Sequence, residues 1–258
     1  MINNFQAVIL SIVQALTEFL PVSSSGHLVL TQKLLDINTP PIFFDTLIHI
    51  GTLFAVLFYL RKELIEIIFN LKDKFNQKLI LLIILGTSPI AIVGVLFKDN
   101  VEDIFNSLYV VGYSLIFTAL VLWSTKFFKN QQKDIKNINW KDSLFVGFFQ
   151  ALAFLPGVSR SGSTISAGLF RKINRESAFK FSFLLAIPAF LGALFIQLID
   201  IQKGMPIELS TGLIGLVVSF VFGLLALKLL EKVLLNGKLF LFGIYCFLLG
   251  IFILIFLV

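Results

Sequence analysis

The sequence predicts an all-α integral membrane protein: an inverted-topology repeat of six transmembrane helices plus two re-entrant helical hairpins. Three observations carry that expectation. Hydrophobic residues make up 57% of the 258 and charged residues 14%, with a mean hydropathy of +0.95. A soluble domain of this length has no core large enough to hide so much apolar surface. Lys and Arg fall into groups between the apolar runs, and one polar string occurs twice inside apolar sequence, at 14–26 and at 150–162.

The apolar runs are best taken in chain order. A helix needs roughly 20 mainly apolar residues to cross the hydrocarbon. The first run, 5–35, is broken at Pro21 and a serine cluster into two short pieces, and is predicted to be re-entrant. Stretches 42–60, 79–97 and 107–125 are long enough to span. A basic loop, 126–142, leads to a second broken run, 143–170, interrupted at Pro156-Gly157 and SRSGS. Spans at 180–199, 211–228 and 239–258 complete the chain. It reads as a single membrane domain, 1–258, with repeat one at 1–125 and repeat two at 143–258.

Charge orients these segments. Lys and Arg number five in 61–78, five in 126–141, four in 171–180 and three in 228–238, with single lysines at 33, 98 and 203. Basic short loops lie on the cytoplasmic side. Six spans meet that requirement only if neither broken run crosses, which puts both chain ends outside. The formal charge of +6 and pI near 9.4 are thereby assigned to membrane loops, not to nucleic acid. The first apolar run carries Gln14 and Glu18 without a basic segment before it, so a cleaved signal peptide is not expected. The only cysteine, Cys246, excludes an intrachain disulfide.

The repeated string is QALTEFLP-VSSSG aligned with QALA-FLPGVSRSG, with a constant offset of 136 residues at both ends. Three spans separate the copies, so the two face opposite sides of the membrane. Broken helices related in this way meet near the midplane. Irregular backbone at that depth survives only if buried in protein or lining a wet cavity.

Ionisable residues within apolar runs are functional candidates by default: here Glu18, His27, Asp45, His49 and Arg160. The plain alternative is a Glu18–Arg160 ion pair that merely ties the repeats together. Ser- and Gly-rich turns opening onto helices expose N–H groups and hydroxyls suited to phosphate, although simple N-capping explains some of them. Arg160 adds a guanidinium fork matched to phosphate. His27 offers acid, base or nucleophilic chemistry, and Ser24 or Ser25 is a nucleophile it could activate. Gln14 lies one turn before Glu18 and offers a metal its amide oxygen, or else makes an interhelical hydrogen bond. Asp45 and His49 share one helix face, and His49 is either an interior histidine or a lining of the same cavity.

QALTEFLPVSSSGH and LPGVSRSGSTIS resemble the two signature regions of the bacterial undecaprenyl-diphosphate phosphatases, the bacitracin-resistance proteins. The resemblance runs on through FDTLIHIGTLFAVL and FSFLLAIPAFLGA. It implies hydrolysis of a polyprenyl diphosphate lipid to its monophosphate in the bacterial cytoplasmic membrane, at a site opening to the outer side. It also implies a divalent cation, Mg or Ca, held by Glu18 and Gln14. Catalytic roles carry over to Glu18, Ser24, His27 and Arg160, with Ser24 as nucleophile and His27 as base, or with direct attack by His27 or water. Ser159, Arg160 and Thr164 match the family's second region, where the arginine holds phosphate, and Ser25, Gly26 and Ser161 of the two Ser- and Gly-rich turns are read as further phosphate contacts. Partners are the lipid substrate and membrane lipids; a homo-oligomer is compatible with the sequence.

Two other readings are weighed. A second lipid-phosphatase superfamily shares SGH and SR strings, but it requires Arg-Pro, which is absent, and a His where Ser166 stands. A secondary transporter or flippase of an anionic lipid uses the same repeat architecture, with Glu18 and His27 then relaying protons.

Overall fold

The computed structural model describes residues 2–35, 37, 42–97, 107–128, 131–200 and 209–258. The lone lysines at 98 and 203 lie outside these. Among the described residues the chain is helical and has no strand: α1 (Asn4–Phe19), α2 (Ser24–Leu34), α3 (Ile42–Tyr59), α4 (Arg61–Phe69), α5 (Lys74–Leu96), α6 (Leu108–Ser124), α7 (Trp140–Leu152), α8 (Arg160–Phe170), α9 (Arg175–Asp200), α10 (Leu209–Leu235) and α11 (Phe240–Phe256).

Helices α5, α9 and α10, together with α6 and its following turn, are long and apolar enough to cross a membrane. Helix α3 reaches that length only with α4, from which it is bent by 70°; α11 has 17 residues. The chain is a multi-pass membrane protein. The sequence reading treated 61–78 as loop, yet α4 is a helix. Leu64 and Ile67 pack against the core, Arg61, Lys62 and Glu66 are exposed, and the half-buried Glu63 pairs with Lys180 of α9 at 3.2 Å. Mixed apolar and charged faces suit a helix lying along an interface.

The two broken runs each form a helical hairpin. In the first, α1 packs on α2 and Gln6 Nε2 near the start of α1 donates to Leu35 O just past α2. In the second, α7 packs on α8, and Asp142 in the first turn of α7 bonds Arg171 Nε just past α8 at 2.8 Å. At 1.5 Å per residue these helices are about 16 to 24 Å long, short of a hydrocarbon layer of about 30 Å.

The repeat extends into the helix caps. Asn3 and Asn139 both close capping boxes, Asn3 with Gln6 and Asn139 with Asp142, positions related by the same 136-residue offset as the polar strings. Helices α2 and α8 are both 11 residues long at that offset. The packing is exchanged between halves: α1 lies on α10, and α7 lies on α5. Backbones touch where α7 crosses α5, because any Cβ on Gly147 would strike the Gly86 carbonyl.

The base of the second hairpin is an ionic knot outside the apolar segments. The Asp142 side chain is fully enclosed and accepts from Lys133 Nζ at 2.8 Å, Arg171 Nε at 2.8 Å and the Asn139 N–H at 3.0 Å. A parallel bridge between Lys133 and Ile173 fastens the loop beside it. Burial alone would raise the Asp142 carboxyl; Lys133, the Asn139 amide and Arg171 outweigh it and hold it below the usual carboxylate range. A depressed carboxyl stabilises the fold above its unfolded value, and that stability is lost as pH falls through the folded value. Asp142→Asn should therefore lower stability near neutral pH by about 1–3 kcal/mol, less than for a fully buried pair because both cations keep some water. Thermal unfolding in detergent should show this deficit closing as pH is lowered through the acid range.

Candidate functional site

The hairpins meet tip to tip. After α1 the chain turns through Leu20–Val22 into Ser23, whose φ of 70° is unusual for a residue with a side chain. Such a conformation costs about 1–3 kcal/mol and persists only where the surroundings enforce it. Ser23 does not cap its own helix; its Oγ instead accepts the Gly157 N–H of the other tip at 3.1 Å. Gly157 has φ of 96°, and a Cβ there would lie 2.5 Å from the Val111 carbonyl, so only glycine fits.

Each tip is buttressed by a helix from outside its own hairpin. Thr118 of α6 donates to the Gly157 carbonyl at 3.0 Å and accepts the Ser159 N–H at 3.1 Å. Cys246 of α11 reaches the Pro21 carbonyl at 3.4 Å. Ser159 caps α8 by accepting the Gly162 N–H. The Gly157 and Ser159 amides and the Pro21 and Gly157 carbonyls are thus satisfied internally, as an apolar setting requires.

Beside this junction lies a cavity of about 270 Å³. Thr17, Glu18, Ser23, Ser24, Ser25, Ser159, Arg160 and His49 supply its polar lining, and Ala153, Val158, Phe190, Ala193 and Leu194 its apolar wall. Glu18 Oε1 lies 3.4 Å from Arg160 Nη2, and Glu18 Oε2 accepts from Ser24 Oγ at 2.6 Å. Arg160 sits in the first turn of α8, stacked 4.5 Å from the Phe190 ring centroid and 5.4 Å from that of Phe183. Among the described residues its Nη1 is buried with no partner. An unpaired guanidinium donor at a helix N-terminus, walled by aromatic faces, is arranged to receive an anion.

The remaining site residues named from sequence are placed differently. Ser25 and Ser159 line the cavity. Ser161 and Thr164 lie behind it: Ser161 Oγ is 3.3 Å from Ser159 Oγ, and Thr164 Oγ1 donates to the Arg160 carbonyl at 2.9 Å and lies 2.6 Å from Ser182 Oγ. Gly26 is buried against Val111. Gln14 is fully buried, donates to Thr52 Oγ1 at 3.3 Å and keeps an unpartnered Oε1, but does not line the cavity. Among the described residues no group of three His, Cys, Asp or Glu could hold a metal unaided.

His27 is not brought to Ser24. Its Nδ1 bonds the Ser23 carbonyl at 2.7 Å, and its Nε2 meets Tyr245 Oη at 2.6 Å, with the two rings stacked. Ser24 therefore takes Glu18, not an imidazole, as its acceptor. Tyr245 lies 218 residues from His27, and nothing in the local string marks it. Phe190 also escaped the sequence reading, where the 30 phenylalanines were read as lipid-facing or core.

A family model described as bacitracin resistance protein BacA matches residues 7–252. The chain is 42% identical over 271 aligned positions to an undecaprenyl-diphosphatase of Alkaliphilus metalliredigens, covering 98% of each chain. It is 44% identical over 257 positions to one of Carboxydothermus hydrogenoformans, covering 98% of this chain and 97% of that one. It is 42% identical over 254 positions to undecaprenyl-diphosphatase 4 of Bacillus cereus, covering 98% and 96%.

Both histidines direct Nδ1 at a carbonyl, His49 towards Asp45 O at 2.7 Å. A carbonyl only accepts, so Nδ1 carries the proton in each and Nε2 is the bare nitrogen. With His27 and His49 the only histidines, ¹⁵N-histidine NMR in micelles should show two Nδ1–H rings at neutral pH. Tyr245→Phe should move the Nε2 resonance of His27 and leave that of His49 in place.

Proposed function

The chain belongs to the bacitracin resistance protein BacA family, and from that premise we propose that it hydrolyses undecaprenyl diphosphate to undecaprenyl phosphate and phosphate. The reaction returns the carrier lipid to cell-wall synthesis and underlies bacitracin resistance. The observation that carries this reading is Arg160 lining a hydroxyl-rich cavity beside Glu18, with its Nη1 lacking a partner among the described residues. Phosphoryl transfer is catalysed chiefly by positioning and charge stabilisation, and this cavity offers both next to an apolar wall for the first isoprenyl units.

The topology proposed is six spans with two re-entrant hairpins in the bacterial cytoplasmic membrane, related as inverted repeats and opening to the outer side. The exchanged packing of α1 on α10 and α7 on α5 supports the repeat. The basic residues at the base of the second hairpin favour the cytoplasm for that base.

In the proposed reaction Arg160 holds the terminal phosphate, with Ser25, Ser159 and the first-turn amides around Gly26 as further donors. Ser161 and Thr164 act from behind, fixing Ser159 and the Arg160 backbone. Ser24 Oγ attacks the terminal phosphorus, its proton passes to Glu18, and undecaprenyl phosphate leaves with the bridging oxygen. Water then releases phosphate from Ser24. His27, held by Tyr245, shapes the first turn of α2 and takes no part in deprotonating Ser24. A divalent cation, Mg or Ca, suits a site with one carboxylate and a substrate rich in phosphate oxygens. Glu18 would hold it, whereas Gln14 lies outside the cavity lining; when bound the cation would neutralise phosphate charge.

Purified protein in detergent, given undecaprenyl diphosphate with Mg or Ca, should release phosphate and should stop when EDTA is added. Arg160→Ala and Glu18→Gln should each lower kcat/KM by at least about 100-fold, the cost of losing a charged stabiliser of the transition state. Wild type that releases no phosphate with any metal would overturn the reading.

A further inference from the structure

The proposed first step leaves a gap in the proton account. Once Ser24 is phosphorylated, Glu18 carries the serine proton and is needed to return it when Ser24 departs from phosphorus. Glu18 is then unable to take a proton from the attacking water as well. A second base must face the cavity, and His27 is engaged elsewhere.

We propose that His49 is that base, a catalytic residue of the second step. This rests on the two-step reading above. His49 lines the same cavity as Glu18, Ser24 and Arg160, and it is the one imidazole among the described residues that does so. Its Nδ1–H is fixed on the Asp45 carbonyl at 2.7 Å, which leaves the Nε2 lone pair as its reactive atom. Among the described residues Nε2 has no hydrogen-bond partner. An orienting acceptor on one nitrogen and a bare second nitrogen, on a ring that lines the cavity, is the arrangement a histidine base requires.

The surroundings hold that pose. Thr52 Oγ1 donates to the His49 carbonyl at 3.0 Å, and Gln14 of α1 donates in turn to Thr52, so α1 and α3 are clamped where His49 enters the cavity. Asp45 lies one turn earlier on the same helix, and its carboxylate interacts electrostatically with His49. One of its oxygens is sealed from water and has no partner among the described residues. From the other elements around the cavity, Glu18 of α1 and Arg160 of α8 are the charged groups; α2 presents hydroxyls, and α9 presents Phe190, Ala193 and Leu194.

The step balances. A water oxygen bonds phosphorus as the bond from phosphorus to Ser24 Oγ breaks. The water proton goes to His49 Nε2, and Glu18 returns its proton to Ser24. The imidazolium then gives its proton to the departing phosphate or to solvent.

The test is rapid-quench kinetics on His49→Ala in detergent with undecaprenyl diphosphate. One equivalent of undecaprenyl phosphate per protein should appear in a burst at the wild-type rate, which also certifies the fold. Phosphate release should be slower by about 100-fold or more, in the range expected for loss of a general base. Phosphate should be found on the Ser24 peptide by mass spectrometry, and added imidazole should speed its release. His49→Gln should give the same burst without rescue. A steady rate within a few fold of wild type would overturn the proposal, as would both steps slowing together with no phosphorylated protein. An inactive wild type would instead bring down the hydrolase reading.

Discussion

Everything in this molecule is arranged around one electrostatic demand, a guanidinium held in apolar surroundings. Arg160 is flanked by Phe183 and Phe190, and its nearest counter-charge is Glu18, on a different hairpin. Removing such a group from water costs several kcal/mol unless it is paired and hydrogen-bonded. Neither hairpin is therefore complete alone. One contact that joins them, Gly157 N–H to Ser23 Oγ, is backbone to side chain and is made by a Ser23 in a strained conformation. A 3.4 Å separation between Arg160 and Glu18, with one guanidinium nitrogen unpaired, leaves the charge only partly answered. The remainder is what an anionic substrate meets.

The two hairpins begin alike and end differently, and the difference is chemical. Asn caps, conserved helix starts and 11-residue second helices recur at one offset. Between them α1 runs 16 residues and α7 only 13. The paired gaps in the aligned strings take physical form here: the first copy spends its extra residue, Glu18, inside a helix, and the second spends Gly157 in the turn. Extending α1 carries a carboxylate to the tip. Loosening the second turn lets Gly157 adopt φ of 96° and reach Ser23, which sets Arg160 at the start of α8. Substrate chemistry needs both outcomes, and one helix end cannot provide both.

What could be read in advance followed from local rules. Apolar runs, basic loops, Pro-broken segments and a doubled string are each visible within a few residues, so the helices, the hairpins and the pairing of Glu18 with Arg160 were legible. Contacts that depend on distant side chains were not. Tyr245 withdraws His27 from Ser24 across 218 residues, and no spacing rule announces it. For Gln14 the interhelical hydrogen bond was one of two readings, and its amide does donate across to α3; only the partner, Thr52, was not legible. Helix α4 escaped because four charges in nine residues read as a loop, although Leu64 and Ile67 still find the core. His49 was legible as one of two alternatives, and the cavity lining selects between them.

The most direct measurement asks whether carboxylate and guanidinium arrive from opposite faces of one membrane. Single cysteines at Lys33, beside the base of the first hairpin, and at Lys136, in the loop at the base of the second, would be introduced with Cys246→Ser, and intact cells treated with an impermeant maleimide. Both positions are exposed in the fold. Lys33→Cys should label from outside, and Lys136→Cys only after the membrane is opened. Labelling of both from the same side would contradict an inverted repeat and the shared site built on it.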